Sequence, residues 1–190
     1  MRGTGKTLIT LGVLVLLFVA YELWGTGLIT ERAQDQLRED IAQDGLALAP
    51  IPGKAVGFLT IPKIGLDVVV VEGTERGDLM KGPGHYSDTP LPGKPGNVGI
   101  AGHRTTYSQP FWDLNRLGPG DIIELRTRAG TFRYRVRWQR IVGPRATWVV
   151  NPTLVRALTL TTCHPRFSSR ERLVIRAIQI SGPGTPRSVT

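Results

Sequence analysis

The 190-residue sequence holds a single cysteine, Cys163, which excludes an intramolecular disulfide and leaves that thiol either to persist or to react. Aromatic residues amount to only 7%. None are arranged as an RNP-like motif, and zinc-finger and helix-turn-helix patterns are also missing, so no nucleic-acid partner is expected. No acidic cluster has the spacing of a calcium loop. A zinc site built from Cys163, His164 and His103 would be short of ligands and poorly spaced. Long stretches without Gly or Pro are few, because 23 Gly and 14 Pro punctuate the chain. That pattern argues against a helical bundle and for short strands joined by turns. There is no internal repeat, and a chain of this length with 41% hydrophobic residues is expected to bury one core.

What is present is an uneven charge distribution. The formal net charge is +9, with 5 basic and 6 acidic residues in 1–54 but 19 basic and 9 acidic residues in 55–190. A surface of that kind suits an anionic membrane face or an acidic envelope polymer, or is simply a solvated arginine-rich face.

The segment Leu8 to Leu23 is apolar except for Thr10 and Glu22, and it follows Arg2 and Lys6. Residues 1–29 are therefore expected to form a cytoplasmic N-terminus and a single-pass transmembrane signal anchor, which places the main domain outside the cell membrane. A cleaved signal peptide is the rival reading. Residues 30–54 predict a juxtamembrane helix, capped by Thr30, and a linker from Ala47 to Lys54 rich in Pro and Gly. Residues 55–181 form the folded domain, and 182–190 a disordered tail.

Within that domain, Ala55–Ile61, Leu66–Glu72, Asn97–Gly102, Asp121–Thr127, Thr131–Val142, Ala157–Cys163 and Arg172–Ser181 all read as strands. Glu75–Met80 and Phe111–Leu117 read as short helices. The fold class is all-β, a barrel or sandwich of seven or eight strands.

Alternation gives the local chemistry. Leu158 and Leu160 point to one face, which leaves Thr159, Thr161 and Cys163 on the other. If the strands flanking the connection His164–Glu171 pair antiparallel, Cys163 and Arg172 sit opposite one another with Cβ atoms about 5 Å apart. A guanidinium there favours a thiolate and can donate to an oxyanion on a carbonyl attacked by the sulfur. Proton transfer near neutral pH needs a histidine. His103 opens a loop after the apolar run NVGIAG, where a rigid strand end can hold it. His164 points away from its neighbour Cys163, and His85 sits in the loop GPGHY without another catalytic signature. Three histidines with purely structural roles remain the alternative.

The string TLTTC from Thr159 to Cys163, followed by Arg172 in RLVI, resembles the signature of sortases, and AGHRTTYSQPF from Ala101 to Phe111 resembles their histidine segment. The similarity extends over about residues 55 to 181, and its wording is most similar to class E sortases of high-GC Gram-positive bacteria. The resemblance implies a sortase-type β-barrel with short connecting helices and a cysteine transpeptidase that uses no cofactor. Its partners would be secreted proteins bearing a C-terminal LAxTG- or LPxTG-type sorting signal, cleaved between Thr and Gly, and the amine of a cell-wall peptidoglycan precursor. By the same resemblance Cys163 is the nucleophile, His103 the acid and then base, and Arg172 the oxyanion or backbone donor. Thr162 would help position substrate or act only as a strand former. Tyr107, Trp148 and Val150 would line the peptide groove. A cysteine hydrolase that uses water, and a membrane-anchored binding module with an inert thiol, are the competing functions.

Overall fold

The computed structural model describes residues 2–21, 25–47 and 49–183. Eight strands close into a barrel: β1 (Ala55–Ile61), β2 (Leu66–Glu72), β3 (Gly84–His85), β4 (Asn97–Ala101), β5 (Ile122–Thr127), β6 (Gly130–Val142), β7 (Ala157–His164) and β8 (Glu171–Ser181). Their order around the barrel is β1-β2-β3-β4-β7-β8-β6-β5. The β2/β3 and β4/β7 pairs are parallel and the rest antiparallel. The seven strands expected from the sequence are all present. The eighth, β3, is two residues long, too short to leave a periodic signal.

The barrel is filled by the residues that alternation points inward. In β6, Phe132, Tyr134 and Val136 are buried while Arg133, Arg135 and Arg137 face out, and Leu59, Ile100, Leu160 and Ile175 complete the interior. Much of the basic excess therefore lies on the outside of a strand that is apolar within.

Helix α2 (Thr26–Asp44) corrects the sequence reading in two respects. It begins four residues before Thr30, with Gly25 at its N-cap and no side-chain cap, so Thr30 is not a capping residue. The Thr30 hydroxyl donates instead to the Met80 carbonyl at 2.8 Å. The helix also packs against the barrel. Leu37 packs in a small outer cluster with Phe58, Val69 and Val71. Gln34 accepts from the Val69 amide at 2.7 Å and donates to the carbonyls of Val69 and Lys81 at 3.0 and 2.8 Å. At roughly 0.5–1.5 kcal/mol net per hydrogen bond, these contacts match the roughly 1.5–3 kcal/mol of burying one leucine. Docking by a polar stripe explains why hydrophobic periodicity missed it.

Helix α1 covers Arg2–Ala20 and α3 covers Arg76–Leu79. Among the described residues, no helix is long and apolar enough to cross a membrane. The expected span Leu8–Leu23 is helical as far as Ala20, and its positions 22 and 23 lie outside the described residues, as does the expected disordered tail beyond 183.

His85, one of the three histidines weighed for catalysis, is structural. Its Nδ1 lies 2.8 Å from Glu72 Oε2, and both side chains are buried. Its Nε2 faces the Pro90 carbonyl at 3.3 Å and the Thr89 hydroxyl at 3.1 Å, whose own proton goes to the Tyr86 carbonyl at 2.7 Å. Both ring nitrogens are thus engaged, and this buried pair ties β2 and β3 to the 86–90 turn.

Candidate active site

β7 and β8 form a hairpin in which Cys163 is paired with Arg172, the register expected from the sequence. Thr162 pairs with the core residue Leu173 and so faces inward, whereas Cys163 and Arg172 share the outward face. The parallel pairing of β4 with β7 supplies the third group. Ala101 lies beside Thr161, and the Gly102 amide donates to the Thr161 carbonyl at 3.1 Å. Continuing that register two residues brings His103 alongside Cys163. A separation of 60 residues in sequence becomes adjacency only through this pairing.

His103 is half-buried, and desolvation by that burial lowers its imidazole below the ordinary histidine value. Its Nε2 has no hydrogen-bond partner among the described residues. A buried, unpaired ring nitrogen is unusual in structural positions and is suited to proton transfer with a substrate. The Tyr107 ring lies against His103 at a centroid distance of 4.8 Å. Tyr107, Ser108 and Gln109 all have left-handed backbones, with φ of 53°, 56° and 50°. The first turn of α2 holds this costly run: the Tyr107 amide donates to Thr26 Oγ1 at 3.2 Å and the Ser108 hydroxyl to the Gly27 carbonyl at 3.1 Å. Gly102 is required beneath it, since a Cβ there would lie 2.6 Å from the Phe111 ring.

Arg172 is partly buried, and its Nη1 donates to the carbonyls of Ser169 and Glu171 at 2.9 and 3.0 Å. These bonds use one nitrogen of the fork, so the others can serve a substrate. Arg170 lies in the exposed connection, outside the strand. The single-turnover acylation rate should fall about 10²- to 10³-fold in Arg172→Ala, fall in Arg172→Lys as the planar fork is lost, and stay near wild type in Arg170→Ala. A crippled Arg170→Ala beside an unimpaired Arg172→Lys would reassign the catalytic arginine.

The remaining candidates divide. The Thr162 hydroxyl donates to the Gly102 carbonyl at 2.7 Å, which ties β7 to the His103 loop from inside the barrel. Val150 lies in a 3-10 turn (Thr147–Val150) held over the outward face by Asn97 and Arg176, which both donate to the Val149 carbonyl. Val150, Tyr86 and Thr89 converge over Gly99, where a Cβ would meet all three within 3.3 Å. Trp148 is on the same turn, and half of its surface is exposed. Two residues escaped the sequence reading. Tyr86 bonds Thr161 Oγ1 at 2.9 Å, one outward position before Cys163. Arg104 reaches the Cys163 carbonyl at 3.2 Å. The only sequence signal for either was its place beside a histidine.

A family model described as the sortase domain matches residues 59–180, and the chain belongs to the sortase family. It is 35% identical over 195 residues to sortase SrtE1 of Streptomyces coelicolor, covering 92% of this chain and 55% of that protein. It is 35% identical over 127 residues to sortase D of Bacillus subtilis, covering 66% of this chain and 63% of that one. The chain thus spans just over half to under two thirds of the length of these relatives. A crystal structure of Streptomyces coelicolor sortase E1 with a tripeptide in its active site superposes with a TM-score of 0.65 at 29% identity, over 75% of this chain and all of that one. These similarities make the chain a class E-like sortase.

Proposed function

We propose that this chain is a cysteine transpeptidase that cleaves a C-terminal sorting signal between Thr and Gly and transfers the acyl group to an amine. The observation that carries this reading is the pairing of Cys163 with Arg172 on the outward face of the β7/β8 hairpin, beside the parallel strand β4 whose end leads into His103. The Cys163 thiolate attacks the Thr carbonyl, and Arg172 donates to the oxyanion. As the tetrahedral intermediate collapses, the C–N bond breaks and His103 gives its proton to the departing Gly amine. The thioacyl enzyme is then attacked by an incoming amine, whose proton returns to His103 as the sulfur leaves. The exchange is amide for amide, without a cofactor.

The substrates in this reading are secreted proteins with an LAxTG- or LPxTG-type signal, and the acceptor is the amine of a peptidoglycan precursor. The tripeptide held by the Streptomyces coelicolor relative supports a peptide groove. Incubating both signal peptides with and without an amine acceptor tests it: a new amide is expected, whereas release of a free carboxylate alone in the presence of amine would make the chain a hydrolase.

The same reading makes residues 1–29 a signal anchor with the barrel outside the cell membrane. Support comes from α1, where Leu8, Ile9, Leu11, Leu14, Leu16 and Phe18 are all exposed, and from the basic residues before it. Protease added to intact protoplasts should digest the barrel, and a protected barrel would overturn this topology.

A further inference from the structure

Arg104 follows His103 directly, yet its side chain serves another strand. It is 4% exposed. Its Nη1 donates to the Cys163 carbonyl at 3.2 Å and to His164 Nδ1 at 3.0 Å, and its Nη2 donates to Asn115 Oδ1 at 2.8 Å. A guanidinium has donors only, so His164 Nδ1 is the acceptor and this contact sets the tautomer of the ring. One side chain from the histidine loop thus grips the backbone of the nucleophile and the residue after it.

Its charge is the second observation. Among the described residues no carboxylate lies within ion-pair distance of Arg104, because the neighbouring Asp113 is engaged by Arg116 and Arg166. Burying a guanidinium without a carboxylate costs several kcal/mol, so fold stability alone does not account for it. Desolvation, then the like charge of Arg166, works against the Arg104 cation, while Asp113 and the Cys163 sulfur work for it. The titratable and charged groups of the neighbouring elements are His103 and Arg104 in the loop after β4, Arg172 paired with Cys163 and Glu171 paired with His164 on β8, and Arg166 in the turn after β7, which acts on Arg104. Of the cations in this group, Arg104 alone is both buried and bonded to the backbone of the cysteine.

We propose that Arg104 is a positioning residue for the nucleophile, holding the Cys163 carbonyl and the His164 ring by hydrogen bonds and stabilising the anionic sulfur with its buried charge. The inference rests on Cys163 being the nucleophile, but it can be read from the sulfur without any transpeptidation.

The test measures the rate of Cys163 alkylation by iodoacetamide against pH in the full-length chain, with kcat and KM on one sorting-signal peptide alongside. Arg104→Gln should alkylate about tenfold more slowly than wild type at neutral pH, and the two should converge in alkali, where the sulfur is anionic in both. Arg104→Lys should keep the alkylation profile but lose kcat several-fold at unchanged KM, since an ammonium cannot span the same acceptors. A folded Arg104→Gln with the wild-type alkylation profile overturns the electrostatic role. If Arg104→Gln does not fold, Arg104→Lys decides by itself, and a wild-type kcat in that variant overturns the positioning role. An alkylation shift in a chain that transfers no peptide would uphold Arg104 while refuting the transpeptidase reading.

Discussion

Cys163→Ala is expected to give no thioacyl adduct and no cleavage of a sorting-signal peptide by intact-mass and product analysis, with folding unchanged. No other side chain can take over the bond to the acyl carbon, because the chain has one cysteine. The substitution is mild structurally. Cys163 is only partly buried, at the outward end of β7, so shortening it leaves little cavity. A Cys163→Ala variant that still releases the Gly-containing fragment would remove covalent catalysis from this site.

His103→Ala should lower turnover by about 10²- to 10⁴-fold, the range for a positioned proton-transfer group. The pH dependence carries the sharper test. Burial lowers the His103 imidazole, so the neutral form predominates at neutral pH and the imidazolium is the minor species. Acylation needs the imidazolium as acid, so the His103 contribution to single-turnover acylation is lost as pH rises through this lowered value. Attack by the amine needs neutral imidazole, so that step is lost as pH falls through the same value. Both His103-dependent limbs should vanish in His103→Ala. Wild-type pH profiles in that variant would show that the proton moves by another route.

The interaction of α2 with the His103 loop bears on both experiments. Thr26 and Gly27 hold the left-handed run that places Tyr107 against the His103 ring. Rates are therefore best compared among full-length variants, since removal of the first turn of α2 would disturb the group being tested.

The sequence reading and the structure part along physical lines. Period-two alternation marked the strands and put Cys163 on the outward face, because pleating leaves a strand no other choice of sides. Gly and Pro marked the turns, and a short hairpin left Cys163 and Arg172 a narrow range of registers. Local rules of this kind determined the barrel strands and two of the three groups at the site. They did not reach what depends on contacts between distant segments. The His103 loop reaches the Cys163 end of β7 because β4 and β7 run parallel with Ala101 next to Thr161, and a parallel pair needs a long crossover whose register no nearby residue records. Helix α2 docks through Thr30 and Gln34 onto backbone groups of the barrel, a contact that leaves no trace in hydropathy. Arg104 looked like one more basic residue among 24, and only its burial against the Cys163 carbonyl separates it from the solvated ones. Strand identity followed from side-chain spacing along the chain, whereas the assembled site was decided by hydrogen-bond partners that only the closed barrel brings together.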